Sequence, residues 1–195
     1  MRAFDAVRVS GNATNFTFYP QVLRRDIDAM NTQLYEGFSN GVYRAFFAAS
    51  QDAYDDAVGQ VFDTLATLDL HLSTKRYLMG SVITEADWRI LPTLMRFDAV
   101  YYIEHRCCFR RLTDYPNVWA YARDLYAWNK VANTVSLETL RKANYAIDGS
   151  GVTPVAPDAD WTLTHGREKL AHATITLRSG QAWRITPATF CMASG

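Results

Sequence analysis

The chain has 195 residues, enough for one sizeable core, and its 49% hydrophobic and 13% aromatic content excludes a largely disordered protein. Twenty lysines and arginines balance twenty aspartates and glutamates, so the net charge draws it to neither nucleic acid nor an anionic membrane. No apolar run approaches the ~20 residues that span a bilayer, and the opening MRAFDAVRVSGNATNF lacks the apolar segment of a secretory leader, so a cytoplasmic location is expected.

Leu23, Ile27, Met30 and Leu34 recur at helical spacing behind Pro20, a residue suited to opening a helix, and predict a first amphipathic helix. GFSNG, from Gly37 to Gly41, reads as turn chemistry that interrupts it before VYRAFFAAS resumes the pattern. A second stripe runs through Tyr54, Val58, Val61, Phe62, Leu65, Leu68 and Leu72. Asp52, Asp55 and Asp56 stand at its start, where the helix dipole favours negative charge. Next comes VITEADWR. Thr84, followed three positions later by Asp87, makes a capping box in which each side chain accepts from the other residue's backbone N–H. Ile83 and Trp88 have the offset of a hydrophobic staple.

The helix that follows carries apolar residues on several faces (Ile90, Leu91, Leu94, Met95, Phe97, Val100, Tyr101), which places it at the centre of a bundle. Pro92 predicts a kink, because it has no N–H for the Trp88 carbonyl. EHRCCFRRLTDYPN reads as a connection, VWAYARDLYAW as another amphipathic helix, and LETLRKANYA as a shorter one with Ser136 as candidate N-cap. From Gly149 onward Gly, Pro, Ser, Thr and Asp dominate, and ATITLRSGQAWRI alternates around RSGQ as a hairpin would.

These elements predict an all-α fold of about five helices with an irregular C-terminal extension. The expected division is 1–19 as a linker remnant, 20–148 as the helical domain and 149–195 as an irregular tail that could hold a short hairpin. Cys107, Cys108 and Cys191 have no metal-ligand spacing and read as reduced thiols. The cationic setting HRCCFRR would favour a thiolate if the adjacent pair were exposed. Histidines 71, 105, 165 and 172 are too scattered to predict a metal site. No GxGxxG, P-loop, HExxH or GxSxG run names a reaction.

A name for the pattern comes from resemblance. ITEADWR resembles the capping box and staple that begin the central helix of the glutathione transferase C-terminal domain. Around it stand FYPQVLRRDIDAMN, NGVYRAFFA, RYLMG, TEADWRILPTLMRFDAVY, RRLTDYPNVWAYARDLY and HGR. In that order and spacing, over residues 1–167, they resemble the omega-related Xi class, the glutathionyl-hydroquinone reductases. The resemblance implies a two-domain, homodimeric enzyme. A thioredoxin-like domain binds glutathione as co-substrate and supplies a cysteine nucleophile in a Cys-Pro-Trp motif; the helical domain lines a pocket for a quinone-type small molecule.

By the same resemblance Tyr43 falls on a tyrosine that donates or accepts a proton, and Tyr101 on one that helps to lower the cysteine pKa. Asn144 stands where the family has a third tyrosine, with Tyr145 as its neighbour. Phe46 replaces a family glycine, either narrowing the pocket or filling core. No Cys-Pro-Trp and no βαβ pattern occur in the 195 residues, and Met1 falls just past the family's glutathione domain. The expectation is therefore a truncated quinone-pocket half without its nucleophile, the alternative being a helical dimerisation or interaction module without activity. Tyr43 and Tyr101 also admit the ordinary reading of tyrosines in an amphipathic core.

Overall fold

The computed structural model describes residues 17–128, 130–145 and 152–170, and the backbone of two short strands, Ile175–Thr176 and Ala182–Trp183, which pair antiparallel. Residues 1–16, His172 and Cys191 lie outside the described residues. The body is helical: α1 Arg24–Leu34, α2 Gly41–Phe46, α3 Gln51–Leu72, α4 Glu85–Arg96, α5 Pro116–Tyr126 and α6 Leu137–Tyr145. Helix α3 lies against α2 and α5, and α4 lies against α1 and α5.

Pro20, at φ −65°, opens a single 3-10 turn, Gln21–Leu23, before α1 buries Ile27 and Leu34. The interruption expected at GFSNG does not occur. The chain stays helical through a π turn, Tyr35–Ser39, and the two glycines serve close approach instead. A Cβ on Gly37 would stand 2.3 Å from Thr64 Oγ1, and one on Gly41 2.9 Å from Val61 Cγ2. Only a residue without a side chain lets these segments sit on α3.

Ser50 caps α3, its hydroxyl accepting from the Ala53 N–H at 3.2 Å, and Asp52 occupies the first turn. Val61, Phe62, Leu65, Leu68 and Leu72 form its buried stripe. Ser136 caps α6 in the same way, accepting from the Thr139 N–H at 3.1 Å.

At the start of α4 both halves of the Thr84–Asp87 capping box are present. The Asp87 carboxylate accepts from the Thr84 N–H at 2.7 Å and the Thr84 hydroxyl at 3.1 Å. It does more than cap. Fully enclosed, it also accepts from the Leu78 N–H at 2.9 Å and the Tyr121 hydroxyl at 2.8 Å, joining the preceding loop and α5 to the helix start. Burial pushes the Asp87 carboxyl above its ordinary value, while these donors pull the other way. Trp88 packs edge-on to Phe18 and Trp128, at ring separations of 5.9 and 5.8 Å. Contrary to expectation, helix α4 is not apolar all round: it buries Ile90, Leu91, Leu94 and Met95 but leaves Arg89 and Pro92 exposed on one face, and it continues through Pro92 to Arg96 and then a second π turn, Phe97–Tyr101.

Composition put the end of the compact domain near residue 148, but the packing goes further. Trp161 is buried, with its ring 4.8 Å from Trp119 and 5.5 Å from Tyr126. Arg167, only 4% exposed, donates to the carbonyls of Leu72, Lys75, Arg76 and Asn117. Gly166 precedes it at φ 67°, a left-handed turn that glycine enters without steric cost. Three arginines of the body hold the same segment by its backbone: Arg111 to Asp158 O, Arg123 to Thr164 O and Arg141 to Pro154 O. An irregular stretch thus gains its order from guanidinium groups bonding carbonyls, which leaves no period in the sequence.

Candidate functional site

Two helical segments build the site. Helix α2 carries Tyr43 about 100° round the axis from the buried Val42, and Tyr43 stands at the surface with 42% exposure. The π turn after α4 carries Tyr101, whose ring is 3% exposed. Their hydroxyl oxygens are 3.2 Å apart and their rings meet edge to face at 5.7 Å. Burial and the Tyr43 hydroxyl both push the Tyr101 phenol above its ordinary value, so it is protonated at neutral pH. A protonated phenol donates. The pair can pass a proton outward through the accessible Tyr43 while Tyr101 holds Tyr43 by hydrogen bond.

Tyr145 does not join the hydroxyl pair. Its ring is buried and its hydroxyl donates to the Val100 carbonyl at 3.3 Å, so it braces the turn that carries Tyr101. Asn144 turns its amide back to the Leu140 carbonyl at 2.7 Å, within its own helix. Phe46 stacks on His105 with ring centres 4.6 Å apart and meets Phe47 edge-on at 4.8 Å.

His105, which belongs to no motif in the sequence, joins the tyrosine pair. It is 4% exposed and touches both tyrosines, with ring centres 5.0 Å from Tyr43 and 4.6 Å from Tyr101. Its Nδ1 lies 3.1 Å from the Val42 carbonyl, an acceptor only, so Nδ1 carries the proton. Burial lowers its pKa to about 4, which makes the ring neutral at pH 7. The available signal was spacing: Tyr101 and His105 are four apart, on one face of a continuing helical turn.

Cys107 is fully buried, and burial pushes its thiol up to about 12 against the opposing pull of Arg106. Desolvation therefore overrides the cationic sequence context, and the group is no thiolate nucleophile. Cys108 is exposed and both thiols are free. No group of three His, Cys, Asp or Glu side chains suited to a metal occurs among the described residues. A groove of about 700 Å³ runs between α1 and α4, walled by Asp28, Asn31, Glu36, Ser39, Arg89 and Thr93 among others. Neither Tyr43 nor Tyr101 lines it. Tyr43 instead stands at the surface of α2, with Tyr101 buried behind it.

Residues 51–124 match the family model for the glutathione S-transferase C-terminal domain. Glutathionyl-hydroquinone reductase YqjG of Escherichia coli (strain K12) is 39% identical over 170 residues, covering 85% of this chain and 51% of that protein. Glutathionyl-hydroquinone reductase PcpF of Sphingobium chlorophenolicum is 40% identical over 159 residues, covering 80% of this chain and 50% of that protein. Among solved structures, the Xi class transferase from Natrialba magadii superposes with a TM-score of 0.79 at 34% identity, over 87% of this chain and 53% of that one. The glutathione-bound structure of YqjG gives 0.75 at 38% identity, over 86% of this chain and 54% of that one. The chain thus spans about half the length of the curated relatives it matches. With a matching domain model, relatives near 40% identity and the same helical architecture, the chain carries a glutathione S-transferase C-terminal domain and is similar over it to glutathionyl-hydroquinone reductases and to omega-like and Xi-class transferases.

Proposed function

We propose that this chain forms the quinone side of a glutathionyl-hydroquinone reductase site. In that reaction a cysteine thiolate attacks the sulfur of the glutathionyl-hydroquinone, the bond from sulfur to ring carbon breaks, and the ring carbon takes a proton to give hydroquinone. The cysteine then carries glutathione as a mixed disulfide, and a second glutathione thiolate attacks it, releasing oxidised glutathione. Tyr43 is the proton-delivering group, and the buried Tyr101 keeps it oriented by donating its one hydroxyl proton to the Tyr43 oxygen. The observation that carries this reading is the pairing of an accessible phenol with a buried, protonated one at 3.2 Å. Cys107 is unsuited to nucleophilic attack, and the family resemblance assigns the nucleophile and the glutathione-binding groups to a thioredoxin-like domain rather than to the described helical residues.

Titration of the purified chain with hydroquinone tests the pocket. Tyr43→Phe should weaken binding about threefold to tenfold, the effect of one hydrogen bond, without moving the unfolding midpoint. Equal effects on binding and stability would refute the assignment. Robust glutathione-dependent turnover of a glutathionyl-hydroquinone by this chain alone would refute the placement of the nucleophile elsewhere. A second reading, a helical module that associates with itself, draws on the exposed Phe47, Leu70 and Phe109, each more than 70% accessible. Light scattering that shows a clean monomer would remove it.

A further inference from the structure

The contacts of His105 go beyond those of a core residue filling space. Its ring stacks on Phe46 at 4.6 Å and 28° and packs against Tyr101 at 4.6 Å with a tilt of 37°. Its edge meets Tyr43 at 5.0 Å and 63°. Its ring Nδ1–H donates across 63 residues of sequence to the carbonyl of Val42, immediately before Tyr43. The next residue repeats the connection: Arg106 donates to the Phe46 carbonyl at 3.0 Å, and its own carbonyl accepts from the Tyr54 hydroxyl at 2.5 Å. Arg106 adopts φ 58°, a left-handed conformation uncommon for a side chain of its size, so these bonds hold the backbone in a turn it would not choose unaided. Residues 105 and 106 therefore fasten the turn that bears Tyr101 to the last turn of α2, which bears Tyr43.

We propose that His105 is the positioning residue of the tyrosine pair: wedged against both phenols and tied to the Val42 carbonyl, its ring sets the distance and angle at which the two hydroxyls meet. Tyr43 is on one helix and Tyr101 on another, and their shared hydrogen bond alone would leave the exposed phenol free to swing about its side-chain torsions. The imidazole supplies what a phenylalanine could not, a flat ring with a donor on its rim. The role rests on the reading of Tyr43 and Tyr101 as the working groups, and it acts through them without touching substrate.

The test uses the full chain with tyrosines labelled at the phenolic carbon, the signals of Tyr43 and Tyr101 being assigned from their Phe variants. His105→Ala should shift both signals at pH 7, and His105→Phe, which keeps the wedge and loses the tie, should shift them less. Hydroquinone binding then gives a double-mutant cycle. His105→Ala should weaken binding about fivefold in the wild-type background and less than about twofold when Tyr43 is already Phe, because residues acting as one unit do not add. Unmoved tyrosine signals, or losses that multiply fully in the double variant, would overturn the proposal. Should the Ala variant fail to fold, His105→Phe and His105→Asn, one keeping the ring and the other a donor, supply the same comparison. If the wild-type chain binds no hydroquinone, the functional reading falls, while the tyrosine signals still decide whether His105 positions the pair.

Discussion

Asp87 shows how far one side chain can exceed the local motif that reveals it. The sequence displays its partnership with Thr84 because a capping box has a fixed spacing; the bonds to Leu78 N–H and Tyr121 hydroxyl, 9 and 34 residues away, follow no spacing rule. Thr84→Ala removes a cap and should cost about 1 kcal/mol. Asp87→Ala leaves several buried donors without an acceptor and should cost about 3–5 kcal/mol, with denaturant unfolding as the measurement. His105 offers a second check, with its sign fixed by the direction of its shift. Its folded value, about 4, lies below the ordinary 6.5, so between those values the unfolded chain binds the extra proton. Stability from this group is present above pH 6.5 and is lost as pH falls toward 4, by at most about 1.4 kcal/mol per pH unit. The fall in unfolding midpoint between pH 7 and pH 5 should be smaller in His105→Phe than in the wild type.

At the scale of elements, the amphipathic helices were legible because burial imposes a period, and α1, α3, α4, α5 and α6 all carry their stripes openly. GFSNG was not legible as helix. Glycine signals a turn and a tight helix contact with the same letter, and only the presence of Thr64 opposite Gly37 separates the two. Gly37→Ala should push the first helical segment off α3 and destabilise by about 1–3 kcal/mol, an overpacking effect. Thr64→Ala in that background should restore part of the loss, since it removes the atoms that collide; no recovery in the unfolding midpoint would place the strain elsewhere. The site was half legible for a similar reason. Family spacing pointed to Tyr43 and Tyr101, but their convergence depends on two π turns and on His105, none of which a helical period announces.

Over the whole molecule, the returning segment 152–170 is what composition alone misjudged. Its order comes from arginines bonded to carbonyls far along the chain, Arg167 to ones 91 and 95 residues away, and a bonded carbonyl belongs to any residue type. Lysine cannot reproduce the planar fork that lets Arg167 reach four carbonyls at once. Arg167→Lys should therefore cost about 2–4 kcal/mol and raise amide exchange across 152–170 more than in α4.

The same fastening has a consequence for how the protein is made. The carbonyls of Leu72, Lys75 and Arg76 leave the ribosome long before the guanidinium that bonds them, with 95 residues between Leu72 and Arg167. At about 5–20 residues per second, that gap is roughly 5–20 s, ample time for α1 to α5 to collapse on one another with the end of α3 still hydrated. The last act of assembly is then the entry of one arginine, which displaces water from several carbonyls at once. A released chain truncated shortly before Arg167 should hold nearly all its helix yet resist protease poorly, and one that extends a few residues past Arg167 should close the domain.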